Sequence, residues 1–420
     1  MNCFGILADD FTGACDTGVQ FAAMGAQVLA SVSMNRLTAR RIEGWDVLVI
    51  NTESRNCSPK QTGVRLRKAR EFLSRAGWPL RYIKVDSTLR GNLPSQLDVV
   101  LEKDASTVYL APAFPLTGRT VEGGVLKVRG VPVHESEWAQ DIWSPDLTSN
   151  VADLVGERLK GSCGHVTLAQ IEQGARAIQY RLDELRTQGI RVVICDAISQ
   201  MHLSILAEAF VPRLSGSMVM GSAGIARELA LRVFDGKKQD LPRQLRTRGP
   251  VVVLAGSRSE VTRRQVEALE GMPGIIRATI DPRWFDKANW EIRLGELQDS
   301  LANRSPAKGF LITISTSVAA VSTQTFRKRS AGINRLLGKF AAHLAKRERL
   351  SGIVLTGGDI AAAALQALGA YGIRLRHEVA PGIPQGTVVG GRHDGLPVIT
   401  KAGGFGDRDA LCRAVLSLSA

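Results

Sequence analysis

Residues 4–18 read FGILADDFTGACDTG and introduce a pattern that recurs along the chain. A short apolar run, residues 4–7, ends in two adjacent acids, Asp9 and Asp10, and a helical pattern follows. Seven later apolar runs follow the same plan, and most end in small and polar residues: 47–50, 82–85, 108–110, 192–194, 251–254, 310–314 and 353–355. Such runs are typical of strands covered on both faces of a parallel sheet. The sequence therefore predicts an α/β fold with polar groups where such sheets bind ligands.

The length of 420 residues predicts two domains, since single cores rarely grow this large. The polar segment 235–249, with Gly and Pro, separates a helical pattern from a strand, so we expect domains at 1–235 and 250–420 joined by a linker at 236–249. No run approaches the roughly 20 apolar residues of a membrane helix. The first residues lack the pattern of a secretory signal, which makes the cytoplasm the expected location and a membrane partner unexpected.

The net charge of +14 raises nucleic-acid binding as an option. However, aromatic residues make up 5% of the chain and the basic residues are dispersed. One basic stretch spans 237–248. The other, 327–347, keeps apolar residues at helical spacing and is typical of an amphipathic helix with a solvated face. We therefore expect no nucleic-acid partner, and the positive charge also suits an enzyme with anionic substrates.

Asp9 and Asp10 stand between a strand and a helix, where two buried acids would be costly. One interpretation is that one acid caps the helix and the other is solvated. Another is that one carboxylate accepts a proton from a substrate hydroxyl during phosphoryl transfer, or holds Mg²⁺. The residues alone leave these alternatives open.

Two further groups follow strands in the amino-terminal half. Residues 84–92 read KVDSTLRGN, and Ser54-Arg55 follow the strand at 47–50. Arg can bind a carboxylate with two hydrogen bonds, while Ser, Thr and Asp bond hydroxyls. These groups could therefore hold a polyhydroxy acid. The Gly- and Pro-rich connection 111–133 predicts an ordered loop or short hairpin near them.

Glycine-rich segments follow strands in the carboxy-terminal half. They begin at Gly256, Gly357, Pro381 and Lys401. Glycine lets backbone approach a ligand closely, and amides at a helix start can hold phosphate. There is no P-loop motif and no G-x-G-x-x-G fingerprint. Four such segments in one domain favour a nucleotide site of another kind.

Together these motifs resemble the four-carbon acid sugar kinases. The resemblance rests on nine runs in family order, from Leu7 to Asp407: LADDFTGACDTGVQFA, NTESR, KVDSTLRGN, APAFPLTGRT, GSAGIA, GSRSEVTRRQ, TGGDIA, PGIPQG and ITKAGGFGD. It implies two α/β domains, each with a mainly parallel sheet flanked by helices, and an active site in the interdomain cleft. It also implies ATP and Mg²⁺ as cofactors and phosphorylation of a terminal 4-hydroxyl.

The resemblance implies a role for particular residues. Asp9 and Asp10 are the candidate catalytic residues. The residues expected to line the sugar-acid site are Asp9, Arg55, Lys84, Val85, Asp86, Ser87, Thr88 and Arg90. Those expected to contact ATP are Ser259, Gly357, Gly358, Asp359, Ile360 and Gly403. Metal ligands are not assigned, and a homodimer is one option. Ile360 stands where many relatives have Thr, and Gly404 where relatives often have Asn.

The segment DTGVQF, residues 16–21, is more similar to D-threonate kinases than to 3-oxo-tetronate kinases. D-threonate is therefore the expected substrate, with D-erythronate and 3-oxo-tetronates as alternatives. A dehydrogenase or an aldolase-like enzyme of sugar acids is a rival, although the missing dinucleotide fingerprint counts against a dehydrogenase. A sugar-acid sensor or a nucleic-acid binder without enzymatic activity is a second rival.

Overall fold

The chain divides into two units, each of which combines residues from two separate parts of the sequence. Its structure, a computed structural model, describes residues 3–103, 107–141, 144, 147–234, 249–256, 259–280, 290–302, 308–314, 323–347 and 349–419. One unit comprises Met1–Leu29 and Leu37–Asp240, and the other Ala30–Arg36 and Leu241–Ala420. The expected linker, apart from Gly249, and the first basic stretch lie outside the described residues. Their boundaries remain predictions.

The first unit is built on a parallel sheet. The strands of this unit are β1 (Phe4–Ala8), β2 (Val28–Ser31, of which Ala30 and Ser31 are assigned to the second unit), β3 (Val47–Asn51), β4 (Leu80–Lys84), β5 (Thr107–Ala111), β6 (Arg119–Glu122), β7 (Val125–Val128), β8 (Val131–Pro132), β9 (Cys163–Val166), β10 (Val192–Cys195) and β11 (Ser217–Gly221). From β3 the order is β3-β1-β4-β11-β5-β10-β9, and every pair is parallel. The connection after β5 forms the small antiparallel sheet β6-β7-β8, which confirms the hairpin alternative.

Helices connect these parallel strands. They are α1 (Phe11–Ala23), α2 (Pro59–Arg75), α3 (Leu93–Lys103), α4 (Val151–Leu154), α5 (Glu157–Lys160), α6 (Leu168–Ile171), α7 (Ala175–Thr187), α8 (Gln200–Phe210) and α9 (Ala223–Val233). Helix α1 is buried along its whole length apart from its last residue. Phe4, Phe21 and Phe234 form an aromatic cluster with centroids 4.9–6.2 Å apart, which fixes β1, α1 and the end of α9 in one core.

The strands of the second unit are β12 (Val251–Ala255), β13 (Ile275–Ile280), β14 (Gly309–Ile314), β15 (Gly352–Thr356), β16 (Gly372–Ala380), β17 (Ile383–Val389) and β18 (Pro397–Lys401). The order is β13-β14-β12-β15-β18-β17-β16. The neighbouring pairs in the part β13-β14-β12-β15-β18 are all parallel. Strand β17 runs antiparallel to both of its neighbours, β18 and β16. The α/β prediction is therefore confirmed, and each of the eight predicted strands overlaps an observed one.

The helices of the second unit are α10 (Glu260–Glu270), α11 (Trp290–Ala302), α12 (Thr323–Arg347), α13 (Gly358–Ala367) and α14 (Ala410–Ser419). Helix α12 is the predicted amphipathic helix, because Ile333, Phe340 and Leu344 on it are buried. The segment Ala30–Arg36 also belongs to this unit. Val32 donates its N–H to Tyr371 O, and the Arg36 guanidinium donates to the carbonyls of Gln366 and Ala370. Over the described ranges, every helix is too short or too polar to cross a bilayer.

Candidate active site

The predicted sugar-acid residues lie at one edge of the first sheet, at and just after the ends of three neighbouring strands. Ala8, at the end of β1, lies beside Asn51 of β3 and Lys84 of β4. The loops after these parallel strands therefore leave the sheet together. They carry a set of charged residues that we call the amino-terminal cluster: Asp9, Asp10, Arg55, Asp86 and Arg90.

Arg55 lies at the centre of the amino-terminal cluster. Its Nε and Nη2 donate to the two carboxylate oxygens of Asp9 at 2.9 and 2.7 Å. Nη2 also donates to Asp10 at 2.6 Å, and Nη1 lies 3.3 Å from a carboxylate oxygen of Asp86. Burial opposes the charge of the guanidinium, but the three acids raise the pKa of Arg55 well above its ordinary value. One arginine thus holds three loops together.

Asp9 and Asp10 have different environments. Asp10 caps α1, because its carboxylate accepts from the Gly13 N–H at 2.9 Å and from the Thr12 hydroxyl at 2.5 Å. Burial favours neutral Asp10, yet Arg55 and Lys84 bring its pKa below the ordinary value. Asp9 is 2% exposed, and burial raises its pKa despite Arg55. The interpretation that one acid caps the helix is confirmed for Asp10, but solvation of the other is wrong, because Asp9 is buried.

Asp86 and Arg90 form the second ion pair of the cluster. Arg90 Nη2 donates to Asp86 at 2.7 Å, and the Thr88 N–H donates to the other oxygen of Asp86 at 2.8 Å. Burial alone would raise the pKa of Asp86, but Arg90 and Arg55 lower it well below its ordinary value. Arg90 Nη1 donates to Asp141 at 3.0 Å, and its guanidinium lies 4.3 Å from the centre of the Trp138 ring. The two terminal nitrogens of the Arg90 guanidinium are therefore held by Asp86 and Asp141, and its face packs on Trp138.

Strained backbone surrounds these charges. Glu53 and Leu89 have φ of 50° and 57°, a left-handed conformation that is uncommon for residues other than glycine. Gly91 has φ of 103°, and a Cβ there would lie 3.3 Å from Arg55 Cγ. Such strain concentrates at binding sites, where surrounding contacts must maintain it. Here the contacts of the amino-terminal cluster supply that support.

The remaining predicted sugar-acid residues lie in the same loops. Lys84 is 4% exposed and donates from Nζ to Val85 O at 2.7 Å. A Cβ on Gly13 would lie 3.3 Å from this ammonium, so Lys84 lies against the first turn of α1. Val85, Ser87 and Thr88 are buried.

Sequence reasoning missed three residues near the cluster: Arg119, Trp138 and Asp141. Trp138 and Asp141 contact Arg90 directly. Arg119 is 3% exposed, and burial lowers its pKa to about 10 while the charge of Asp86 opposes that change. An arginine inside a Gly- and Pro-rich connection was the available signal for Arg119. Trp138 and Asp141 had none, because they come from a later loop without a recognisable motif.

In the second unit, as in the first, the loops that follow three neighbouring strands carry the predicted site residues. Ala255 lies beside Thr356, and Thr356 beside Lys401, at the ends of β12, β15 and β18. The loops with Ser259, Gly357 and Gly403 therefore leave the same edge of the sheet. The Ser259 hydroxyl donates to Gly403 O at 2.6 Å, and the Gly357 N–H donates to Lys401 O at 2.9 Å.

The other predicted ATP residues surround the start of α13. Gly357 precedes the helix with φ of 93°, Gly358 begins it, and Asp359 is exposed in the first turn. Ile360 is buried, and its Cδ1 lies 4.0 Å from where a Cβ of Gly357 would be, so it contributes packing there.

The third predicted glycine-rich segment, 381–386, is only partly a loop. Residues from Ile383 onward belong to β17, so the expectation of a loop is wrong for that part. A Cβ on Gly382 would collide with the Phe405 ring, which brings this turn against the loop after β18.

The backbone groups of the second unit form a donor set suited to phosphate. In the part of the chain that the structure describes, no three His, Cys, Asp or Glu side chains form a metal-binding group. At the start of α13, the second unit presents backbone N–H groups of the kind that bind phosphate at a helix N-terminus.

The chain is similar to known proteins along its length. A family model described as "Sugar-binding N-terminal domain" matches residues 4–229, and one described as "Nucleotide-binding C-terminal domain" matches residues 252–411. A D-threonate kinase of Salmonella typhimurium is 34% identical over 98% of this chain and 97% of its own length. A D-erythronate kinase of Heliobacterium modesticaldum is 30% identical over 98% of this chain and 95% of its own length.

A solved structure extends the similarity to the fold. The crystal structure of a Haemophilus influenzae protein superposes with a TM-score of 0.74 at 25% identity, covering 99% of this chain and 100% of that one. The resemblance deduced from the motifs is thus confirmed by sequence and by structure. The chain belongs to the four-carbon acid sugar kinase family.

Proposed function

We propose that this protein transfers the γ-phosphoryl group of ATP to the 4-hydroxyl of D-threonate. The observation that carries the proposal is the amino-terminal cluster, where Asp9, Arg55 and Asp86 converge from three strands. Its acids can bond hydroxyls, and its arginines can bond a carboxylate. The 34% identity to a D-threonate kinase supports that choice of acid.

Asp9 is the proposed general base. It accepts the proton of the 4-hydroxyl while that oxygen bonds to the γ-phosphorus and ADP leaves. Each Asp9 oxygen accepts one hydrogen bond from Arg55, which leaves a lone pair on each for a substrate hydroxyl. Asp10 suits the task less, because Thr12, Gly13 and Arg55 already bond its oxygens and its pKa lies below the ordinary value.

Arg55 and Arg90 hold the anionic groups of the reactants. Either guanidinium can bind the carboxylate of the acid or offset the charge of the transferring phosphoryl group. Lys84 and Ser87 lie in the loop region that carries Arg90 and supply donors for hydroxyls, while the Thr88 hydroxyl donates to Asp86 and accepts from Arg90. The fixed orientation of Arg90 against Trp138 and Asp141 holds such a contact in place before binding.

The second unit is the proposed site of ATP. Ser259, Gly357, Gly358, Asp359, Ile360 and Gly403 would surround the nucleotide. Mg²⁺ would be held mainly by the phosphates, as in many phosphotransferases, and would offset their charge. Transfer requires both ligands to meet, and the interdomain cleft for this step remains a prediction, as do a cytoplasmic location and a homodimer.

The test is ADP release with Mg·ATP over D-threonate, D-erythronate, L-threonate and a 3-oxo-tetronate. We expect the highest kcat/KM with D-threonate and a product whose phosphorus couples to the protons on C4 by NMR. A higher kcat/KM with D-erythronate or the 3-oxo acid would reassign the substrate within the family. ADP release with none of the acids would refute the proposal.

A further inference from the structure

Lys401, at the end of β18, is a buried lysine surrounded by oxygen atoms. It is 1% exposed. Its Nζ donates to the carbonyls of Ala402, Gly403 and Phe405 at 2.9, 3.1 and 3.2 Å, and to the Thr262 hydroxyl at 3.2 Å. Lysine is almost never fully buried without such partners. The ammonium therefore gathers three carbonyl groups of one loop onto a single point.

Side chains of α10 reinforce this arrangement. The hydroxyls of Ser259 and Thr262 both donate to Gly403 O, at 2.6 and 2.8 Å. The Gln265 amide donates to Phe405 O at 3.0 Å and to Asp407 O at 2.7 Å. The carbonyl groups of the loop thus face the interior of the second unit, toward Lys401 and α10.

The planarity of the peptide bond determines where the N–H groups point. In a trans peptide, the N–H of each residue points opposite to the C=O of the residue before it. With the carbonyls of residues 402, 403 and 405 turned toward Lys401, the N–H groups of Gly403, Gly404 and Gly406 are turned away from it. Within the described ranges, none of these three N–H groups donates to another residue of the protein.

We propose that Lys401 is a positioning residue that shapes the loop 402–406 into a cradle of N–H groups for the phosphates of ATP. The inference rests on the proposed function, since it specifies how one part of that nucleotide site is held open. Successive N–H groups that point the same way form a favourable site for anions. The ammonium lies behind the cradle, and its charge adds attraction for an anion bound in front.

The energetics of burial agree with a role beyond packing. Burial lowers the pKa of Lys401 to about 7, whereas bonds to three carbonyls favour the charged form. A hydrophobic residue could fill this space without that desolvation cost. The presence of a lysine here is explained when the loop must keep its carbonyls inward and its N–H groups toward a ligand.

The experiment compares binding of Mg·ATP, Mg·ADP and adenosine to the full-length protein by calorimetry. Lys401→Met should weaken ATP and ADP at least tenfold and adenosine less than threefold, because the cradle contacts phosphate and not the base. In steady-state assays, KM for ATP should rise while KM for the acid changes less than twofold. Lys339→Met, on the exposed face of α12, is the matched control and should match the wild type.

A second pair of variants covers the case in which Lys401→Met does not fold, as judged by circular dichroism. Thr262→Val removes the hydroxyl that bonds Gly403 O and Lys401, and Thr262→Ser keeps it. We expect weaker ATP binding for Val and recovery for Ser. Equal ATP affinity in the wild type, Lys401→Met and Thr262→Val would overturn the inference, as would equal weakening of ATP and adenosine. A wild type that binds no ATP would instead refute the proposed function.

Discussion

Asp9→Asn should lower kcat by roughly 10²–10⁴-fold, the usual contribution of a positioned general base. The amide keeps the size of the side chain but does not accept the hydroxyl proton at neutral pH. The assay is steady-state ADP release with saturating Mg·ATP and D-threonate. KM for either substrate should change less than kcat, because the substitution removes an interaction of the transition state.

The structure also limits the effect of this variant on stability. Two hydrogen bonds from Arg55 to a charged acceptor are altered, at about 1.5–3 kcal/mol each. Relief from burying a carboxylate offsets part of that loss, and Arg55 keeps Asp10 and Asp86 as partners. We therefore expect the free energy of unfolding to fall by at most about 3 kcal/mol in urea titrations, within a typical total of about 5–15 kcal/mol.

Asp10→Asn is the matched comparison. Asn caps a helix about as well as Asp, so α1 should keep its first turn. Turnover should fall less than in Asp9→Asn. Near-wild-type turnover in Asp9→Asn, or a larger loss in Asp10→Asn, would refute the assignment of the base.

Three further predictions follow from the same contacts. Ser259→Ala loses a hydrogen bond to Gly403 O that is worth about 1 kcal/mol. The variant should raise KM for ATP about fivefold and leave KM for the acid unchanged. A rise in KM for the acid with KM for ATP unchanged would mean that the two domains are assigned the wrong ligands. Because burial raises the pKa of Asp9 and only the ionised form accepts a proton, kcat should fall with decreasing pH at a value above the ordinary carboxyl pKa of about 3.9; a profile that stays flat down to that pH would contradict the base role. Because Arg90 and Arg55 depress the pKa of Asp86, its ion pairs contribute fully to stability above about pH 3.9. This contribution is lost as the pH falls from there toward the folded-state pKa, so the difference in unfolding free energy between wild type and Asp86→Asn should shrink below about pH 3.9. A difference that stays constant would be inconsistent with the ion pairs.

Eight of the strands, and the convergence of the loops that follow them, could be predicted from the sequence because both depend on local patterns. Buried parallel strands read as apolar runs, and their polar ends must share one edge of the sheet. This reasoning places Asp9, Arg55 and Asp86 at one edge of the first sheet. It could not separate the roles of Asp9 and Asp10, since that depends on which side chain reaches Gly13 and Thr12.

Other features depend on contacts between distant parts of the chain. Trp138 and Asp141 reach Arg90 from a loop about 50 residues away, which no periodicity reveals. A lysine at a strand end such as Lys401 ordinarily indicates an exposed surface, so its burial was not foreseen. The antiparallel strands β16 and β17 were also missed, because residues 383–386 resemble a loop in composition but pair in the sheet.

The proposed reaction requires the first unit to hold the acid and the second unit to hold the triphosphate. A crystal structure with D-threonate and a non-hydrolysable ATP analogue tests it most directly. We expect the carboxylate and hydroxyls of the acid to lie against Arg55, Asp86 and Arg90, and the phosphates against the N–H groups near Gly358 and Gly403. Phosphates bound at the amino-terminal cluster, or D-threonate bound away from it, would contradict this assignment of ligands to the two units.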